Sequence, residues 1–195
     1  RSLAFRMTRL PLAASLLVAA CSSSGDATST PTTTAQQTTF GGARPVEIRV
    51  PSGYDPARPA PLLLVLHGYS AGGVFNDIYM RMTTIMDAKG FFYVSPDGTR
   101  DSSGKNFWNA TDGCCDFDHT NVDDVGYLTS LVREIQGAYA IDPKRIYVLG
   151  HSNGGYMANR LACEHADLFA AAVSWAGANW SDPARCTPSA PIGYL

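Results

Sequence analysis

An α/β architecture, a mostly parallel sheet with helices on both faces, follows from three features of the sequence. Apolar runs of strand length at 62–66, 91–95, 146–149 and 169–176 alternate with stretches of helical period at 76–89, 121–140 and 153–165. The first three runs are continuous rather than alternating in polarity, as strands covered on both faces are. The run ending at Leu149 passes directly into Gly150-His151-Ser152-Asn153-Gly154, which fits G-x-S-x-G between a strand and a helix.

The chain has 195 residues, room for one domain with a substantial core, and its apolar content of 45% is that of a globular protein. A formal net charge of −2 with no basic stripe argues against nucleic acid as a partner. The first residues read as a targeting segment. Arg1, Arg6 and Arg9 precede an apolar run from Leu10 to Ala20, too short to span a bilayer, so 1–20 is expected to be a signal peptide. The run closes as Leu17-Val18-Ala19-Ala20-Cys21, which resembles a bacterial lipobox and makes Cys21 a lipidation candidate; ordinary signal cleavage is the alternative. This predicts an extracellular or cell-envelope location, with membrane contact through the N-terminal lipid anchor only. Ser, Thr, Ala, Gln and Pro dominate the segment that follows, and 21–41 is predicted to be a flexible linker. Residues 42–195 would then form the folded domain.

Within that domain, Arg44–Pro51 alternates polar and apolar residues as an early antiparallel strand does, and the proline-rich 54–61 is loop. Leu62–Leu66 is a central strand, followed by the glycine-bearing loop His67-Gly68-Tyr69-Ser70-Ala71-Gly72-Gly73. One helix is predicted over Asn76–Lys89, with Ile78, Met82, Ile85 and Met86 on its apolar face and Gly90 as its stop. A strand at 91–95 leads into one long loop, 99–120, expected to wall a substrate cleft. The longest helix covers 121–140 with Asp123 and Asp124 in its first turn, where carboxylates suit the helix dipole. Asp142-Pro143 turns the chain into the strand before Ser152. A strand at 169–176 and the opening of another at 191–195 complete the alternation.

The G-x-S-x-G turn makes Ser152 the candidate nucleophile, because a serine on a sharp strand-to-helix turn projects its hydroxyl. The helix that follows aims unpaired N–H groups at the same point, so Asn153 N–H is one oxyanion donor; Tyr69 N–H, from the loop after the central strand, is the other. A serine nucleophile needs a base, which in this strand order follows it, with the acid between. His165 is too far down the same helix, His151 adjoins the serine but points elsewhere, and His67 and His119 precede it. Asp182 is a weak candidate for the acid. The inference is an incomplete domain, truncated at the C-terminus, with acid and base beyond Leu195. Cys114, Cys115, Cys163 and Cys186 form an even set in an exported chain and predict disulfides over metal binding. Three connectivities are open; Cys163 with Cys186 is preferred, leaving the adjacent pair to bridge. Neither cysteines nor histidines show metal-ligand spacing.

Taken together, PLLLVLHG (61–68), VSPDG (94–98), FWNATDGCC (107–115), NVDDVGYL (121–128) and IYVLGHSNGG (146–155) resemble the extracellular polyhydroxybutyrate depolymerase-type and feruloyl esterases of the α/β-hydrolase superfamily. Cys163, Cys186 and the closing PIGYL fall in place too, so the resemblance runs from about Arg44 to the end. It implies a secreted serine esterase without metal or organic cofactor, with Ser152 as nucleophile and Tyr69 and Asn153 as oxyanion donors. The substrate would be a polyhydroxyalkanoate, feruloyl or acetyl ester. The family's later aspartate and histidine have no counterparts here. The rival readings are a serine peptidase of the same fold and a non-catalytic surface lipoprotein that binds a polymer or glycan through 99–120.

Overall fold

The computed structural model describes residues 36–195. The expected signal peptide, Cys21 and most of the expected linker lie outside the described residues. The linker prediction overruns at its far end. Thr39–Phe40 (β1) pairs antiparallel with Val46–Glu47 (β2), and Phe40 is buried against the core. One aromatic ring supplies the apolar burial that the Ser/Thr-rich stretch before it lacks. Tyr139 fastens the same segment by donating its hydroxyl to the Gln37 carbonyl at 2.7 Å.

Five strands make the central sheet in the order β4-β3-β7-β8-β9: Phe92–Val94 (β4), Ala60–Leu66 (β3), Ile141–His151 (β7), Ala171–Trp175 (β8) and Gly193–Tyr194 (β9). Every neighbouring pair is parallel, as strands joined by helical crossovers must be. Register shows why the continuous apolar runs are needed. Leu62, Leu64 and Leu66 of β3 face a core shared with the two long helices, Asp124–Ala138 (α3) and Asn153–Glu164 (α4). Val65, with Leu63 beside it, faces the opposite side, toward Met80 and Met86 of two shorter helices. Alternate side chains of one strand thus enter two different cores. Asp142-Pro143, expected to turn the chain into the strand, lies inside β7 instead: β3 pairs with β7 at Ala60 and Ile141 and next at Leu62 and Ile146, so residues 142–145 bulge out of register.

The single helix predicted over 76–89 is two. Gly73–Met80 (α1) ends where Arg81 takes a left-handed backbone, φ 54°, and Thr83–Lys89 (α2) starts anew. The predicted apolar face also fails, since Ile78 is 70% exposed and Ile85 45%. Met80 and Met86 pack in one cluster with Val65 and Tyr93. Six residues apart, they would lie on different faces of an unbroken helix, and the break turns both inward. No glycine or proline marks Arg81, so the period alone misses it.

The 99–120 stretch is not wholly loop either. Thr99–Arg100 (β5) and Asn106–Phe107 (β6) form a short antiparallel hairpin, and Trp108 just after it is fully buried. α3 begins three residues later than expected: Asp124 is in its first turn, while Asp123 sits one residue outside as the N-cap, its carboxylate accepting the Gly126 N–H at 2.8 Å. Asp124 is buried; its carboxylate accepts from Arg44 at 2.6 Å and from Asn109 N–H at 2.7 Å. Cys163 is joined to Cys186, and Cys114 lies beside Cys115. Among the described residues no helix is long and apolar enough to cross a membrane.

Candidate active site

β7 delivers Ser152 to the end of the sheet, and α4 leaves at once in the opposite direction. Ser152 carries φ 53° and ψ −121°, a conformation that costs a non-glycine residue about 1–3 kcal/mol and persists only where surroundings enforce it. The surroundings do so through close backbone approach. A Cβ on Gly150 would be driven into the carbonyl of Gly154, and one on Gly154 into the carbonyl of Leu66. Both glycines of G-x-S-x-G are therefore required by contact. The turn is fastened by Ser152 N–H donating to the Trp175 carbonyl at 2.8 Å and by Tyr156 N–H donating to the Ser152 carbonyl at 3.0 Å.

Facing the serine is the loop after β3. A Cβ on Gly68 would lie 3.3 Å from the Ser152 Cβ, so the loop passes directly against the nucleophile turn. The Tyr69 N–H donates to no backbone carbonyl among the described residues, and Asn153 is the first residue of α4, where an N–H has no partner within the helix. Asn106 and Trp108 hold this loop through three contacts. Ser70 N–H donates to the Asn106 carbonyl at 2.8 Å, and the Asn106 side chain donates to the Ala71 carbonyl at 2.9 Å. Trp108 Nε1 donates to the His67 carbonyl at 3.0 Å. The hairpin inside 99–120 thus serves to brace the glycine-bearing loop.

Asn153 does more than its backbone suggests. Its buried side chain accepts from Trp108 N–H at 2.7 Å and donates to the Trp108 carbonyl at 2.9 Å, a reciprocal pair. Sequence reasoning missed this pair, and missed His67, Asn106 and Trp108 as its neighbours, because each acts across a long chain separation. The one available signal was that FWN and HSNGG both occur in the motif set carrying the family resemblance.

The histidines divide by environment. His67 is buried; the Gly98 N–H donates to its Nε2 at 2.8 Å, which places its proton on Nδ1, 2.8 Å from the Gly68 carbonyl. Burial holds its pKa below the ordinary histidine value, and both nitrogens are occupied. His151 packs between Tyr79 and Trp175, with ring centroids 5.4 Å from each. His165 caps the far end of α4, its Nδ1 3.8 Å from Asp167, and His119 sits exposed on the outer loop. None of the four is hydrogen-bonded to the Ser152 hydroxyl. Asp182 is exposed and caps a short turn by accepting from Ala184 N–H.

A cleft of about 420 Å³ opens at Ser152, lined by Gly68, Tyr69, Ala71, Phe75, Tyr79 and His151. A larger, polar hollow of about 600 Å³ lies to one side, and Ser152 is not part of its lining. The smaller cleft is the candidate active site, because it alone contains the strained serine. Tyr69 donates its hydroxyl to Asp101 at the rim, and that bond draws the Asp101 carboxyl down to about 2 while pushing the Tyr69 hydroxyl up. Among the described residues, no group of three His, Cys, Asp or Glu side chains is arranged to hold a metal ion.

A parallel sheet covered on both faces, with a strained serine between its central strand and the following helix, defines an α/β-hydrolase. Residues 78–181, a little over half of the chain, match the prolyl oligopeptidase family, and the chain belongs to that family. It is 35% identical over 142 residues to NocK of Nocardia uniformis subsp. tsuyamanensis, described as an esterase, covering 72% of this chain and 40% of that protein. It is 31% identical over 155 residues to feruloyl esterase B of Piromyces equi, covering 78% of this chain and 28% of the other. A solved thermostable esterase superposes with a TM-score of 0.55 at 24% identity, over 70% of this chain and 39% of its own, a likeness of fold. The chain spans less than half the length of these relatives.

Proposed function

We propose that the protein is a serine carboxylic ester hydrolase that works through an acyl-serine intermediate. The observation that carries the reading is Ser152 at φ 53° on the strand-to-helix turn, at the floor of a cleft. Ser152 Oγ attacks the ester carbonyl, and the N–H groups of Tyr69 and Asn153 stabilise the tetrahedral oxyanion. Removing one oxyanion donor, a side-chain amide, costs about 2.7–4 kcal/mol in a well-measured protease. Water then releases the acid. In this reading the general base and its carboxylate partner come from outside residues 36–195, since His67 has both ring nitrogens occupied and His165 lies at the far end of α4. The acyl group is drawn from feruloyl, acetyl or hydroxyalkanoate esters, which the named relatives and the motif resemblance favour.

Export and anchoring through Cys21 belong to the same proposal. The disulfide joining Cys163 to Cys186 supports an oxidising compartment. A fluorophosphonate probe on the full-length protein tests the chemistry. Labelling at Ser152 that is lost in Ser152→Ala is expected, and an unlabelled full-length protein overturns the reading. The prolyl oligopeptidase match favours a second reading, a peptidase on the same scaffold. Comparing an aryl ester with a peptide anilide separates the two, with faster ester turnover expected here.

A further inference from the structure

On the esterase reading, in which the general base and its carboxylate partner follow β9 in the chain, we propose that Tyr194, Asn159 and Ser174 are positioning residues. They form a hydrogen-bonded chain that locks β9 to the nucleophile helix in one register. Every donor in it points the same way. The Tyr194 hydroxyl donates to Asn159 Oδ1, Asn159 Nδ2 donates to Ser174 Oγ at 3.0 Å, and the Ser174 hydroxyl donates to the Gly155 carbonyl at 3.0 Å. Asn159 is 2% exposed, and both ends of its amide are used.

β9 needs such a lock. It has two residues, one of them Gly193, and among the described residues it pairs with β8 alone. Register is weakly specified in a strand that is short and carries glycine, and a slip of one residue turns every side chain to the other face. In the observed register Tyr194 lies opposite Ala172, and Ile192 packs against the core that holds Ala172 together with Met157 and Leu161 of α4. Tyr194, two residues beyond Ile192, shares that face, and from there its hydroxyl reaches Asn159. Its ring is 56% exposed, so the bond to a buried acceptor, more than ring burial, sets the choice. A buried polar chain with every member satisfied fixes one arrangement where apolar contact alone would allow several.

The other end of the chain sits at the nucleophile turn. Gly155 lies in the first turn of α4, and a Cβ on Gly177 would be driven into its backbone, so the start of the helix meets the segment after β8 directly. Ser174 N–H donates to the Leu195 carbonyl at 2.9 Å, and the carbonyl of the next residue, Trp175, accepts the Ser152 N–H at 2.8 Å. Ser174 stands opposite Gly150 and Trp175 opposite His151, so Leu195 is bonded at the level of the residues just before the serine. A slip of β9 by one residue, about 3.3 Å, would misplace whatever follows it by several times the roughly 1 Å that already costs about a hundredfold in rate.

Steady-state hydrolysis of an aryl ester by the full-length protein tests this, with saturating fluorophosphonate labelling to count competent serines so that kcat is expressed per active site. Tyr194→Phe and Ser174→Ala are each expected to lower kcat roughly tenfold with KM within about twofold of wild type, because Tyr194, Asn159 and Ser174 lie outside the lining of the Ser152 cleft. Ser174→Thr keeps the hydroxyl and is expected to recover most of the loss. Tyr194→Phe removes one oxygen from a half-exposed side chain, so it stays readable if Ser174→Ala fails to fold. Unchanged kcat in Tyr194→Phe, a rise in KM at constant kcat, or Ser174→Thr no better than Ser174→Ala overturns the positioning role, while wild-type turnover leaves the esterase reading standing. A full-length protein that neither labels nor turns over ester overturns both.

Discussion

Replacing Asn153 by aspartate exchanges one N–H₂ group for an oxygen and nothing else, at a side chain with no solvent exposure. One oxygen still accepts from Trp108 N–H, but the other now confronts the Trp108 carbonyl where the amide donated at 2.9 Å. Two acceptors cannot share that distance unless the carboxyl holds a proton. Burial alone raises carboxyl pKa values by as much as 3–5 units, and a shift of about three units corresponds to roughly 4 kcal/mol. The sign follows from linkage. The folded pKa of Asn153→Asp is raised above the unfolded value of about 3.9, so the variant is near wild type below about pH 4 and loses stability as pH rises toward the folded pKa. Beyond that the loss is constant, and about 4 kcal/mol is a large share of a typical 5–15 kcal/mol. Asn153→Ala strands both Trp108 groups at any pH, costing about 1–3 kcal/mol for each. Denaturant unfolding of the three proteins from about pH 3.5 to 8 gives the comparison, spanning the carboxyl range. A difference between Asn153→Asp and wild type that does not change with pH, or is absent at neutrality, refutes the reasoning.

Three further outcomes are expected. His67 is neutral when folded and its pKa is depressed, so its contribution is present above the unfolded value of about 6.5 and is lost as pH falls through that value toward the folded pKa. His67→Gln should flatten that part of the stability profile, and an unchanged acid slope in the variant counts against the assignment. Arg44→Met leaves the Asp124 carboxylate buried without its ion partner; breaking such a pair costs about 3–5 kcal/mol, to be read from the denaturant midpoint. Since burial raises the Asp124 pKa while Arg44 and Asn109 lower it, that loss should shrink in acid as the carboxyl protonates. Replacing both Cys163 and Cys186 by serine opens a loop whose ends are 23 residues apart and should cost about 3 kcal/mol in the chain-entropy view, whereas an unchanged melting temperature would show the loop already ordered without the bond.

Most of the sheet was legible because its strands are apolar on both faces, and that signal is local. Leu62–Leu66 and Ile146–Leu149 needed no partner to be recognised, and the glycines around Ser152 carry a steric requirement that a motif can express. What failed was set by tertiary contact. Arg81 breaks a helix whose period continues through it, because Met80 and Met86 gain more by entering one cluster than the backbone loses at a left-handed residue. The hairpin at 99–107 was invisible for a related reason: its strands are two residues each, too short to show a period, and three of the four residues are polar. The expected flexible end at 39–41 failed through a single aromatic ring, Phe40.

The supports around the serine have one direction of dependence. Asn106 and Trp108 hold the loop that carries Tyr69, and Trp108 is held by the side chain of Asn153, whose own N–H is the other donor proposed. The two N–H groups proposed to meet the oxyanion are therefore coupled through one buried tryptophan, 45 residues from Asn153 in sequence. Such coupling fixes both donors before substrate arrives, which is the condition under which they stabilise developing charge without reorganising. It also separates this apparatus from the proton chemistry. A change at Asn153 or Trp108 displaces both donors and leaves any base untouched, so it should lower probe labelling without moving the pH midpoint of that labelling. Loss of the base would shift or abolish the midpoint itself.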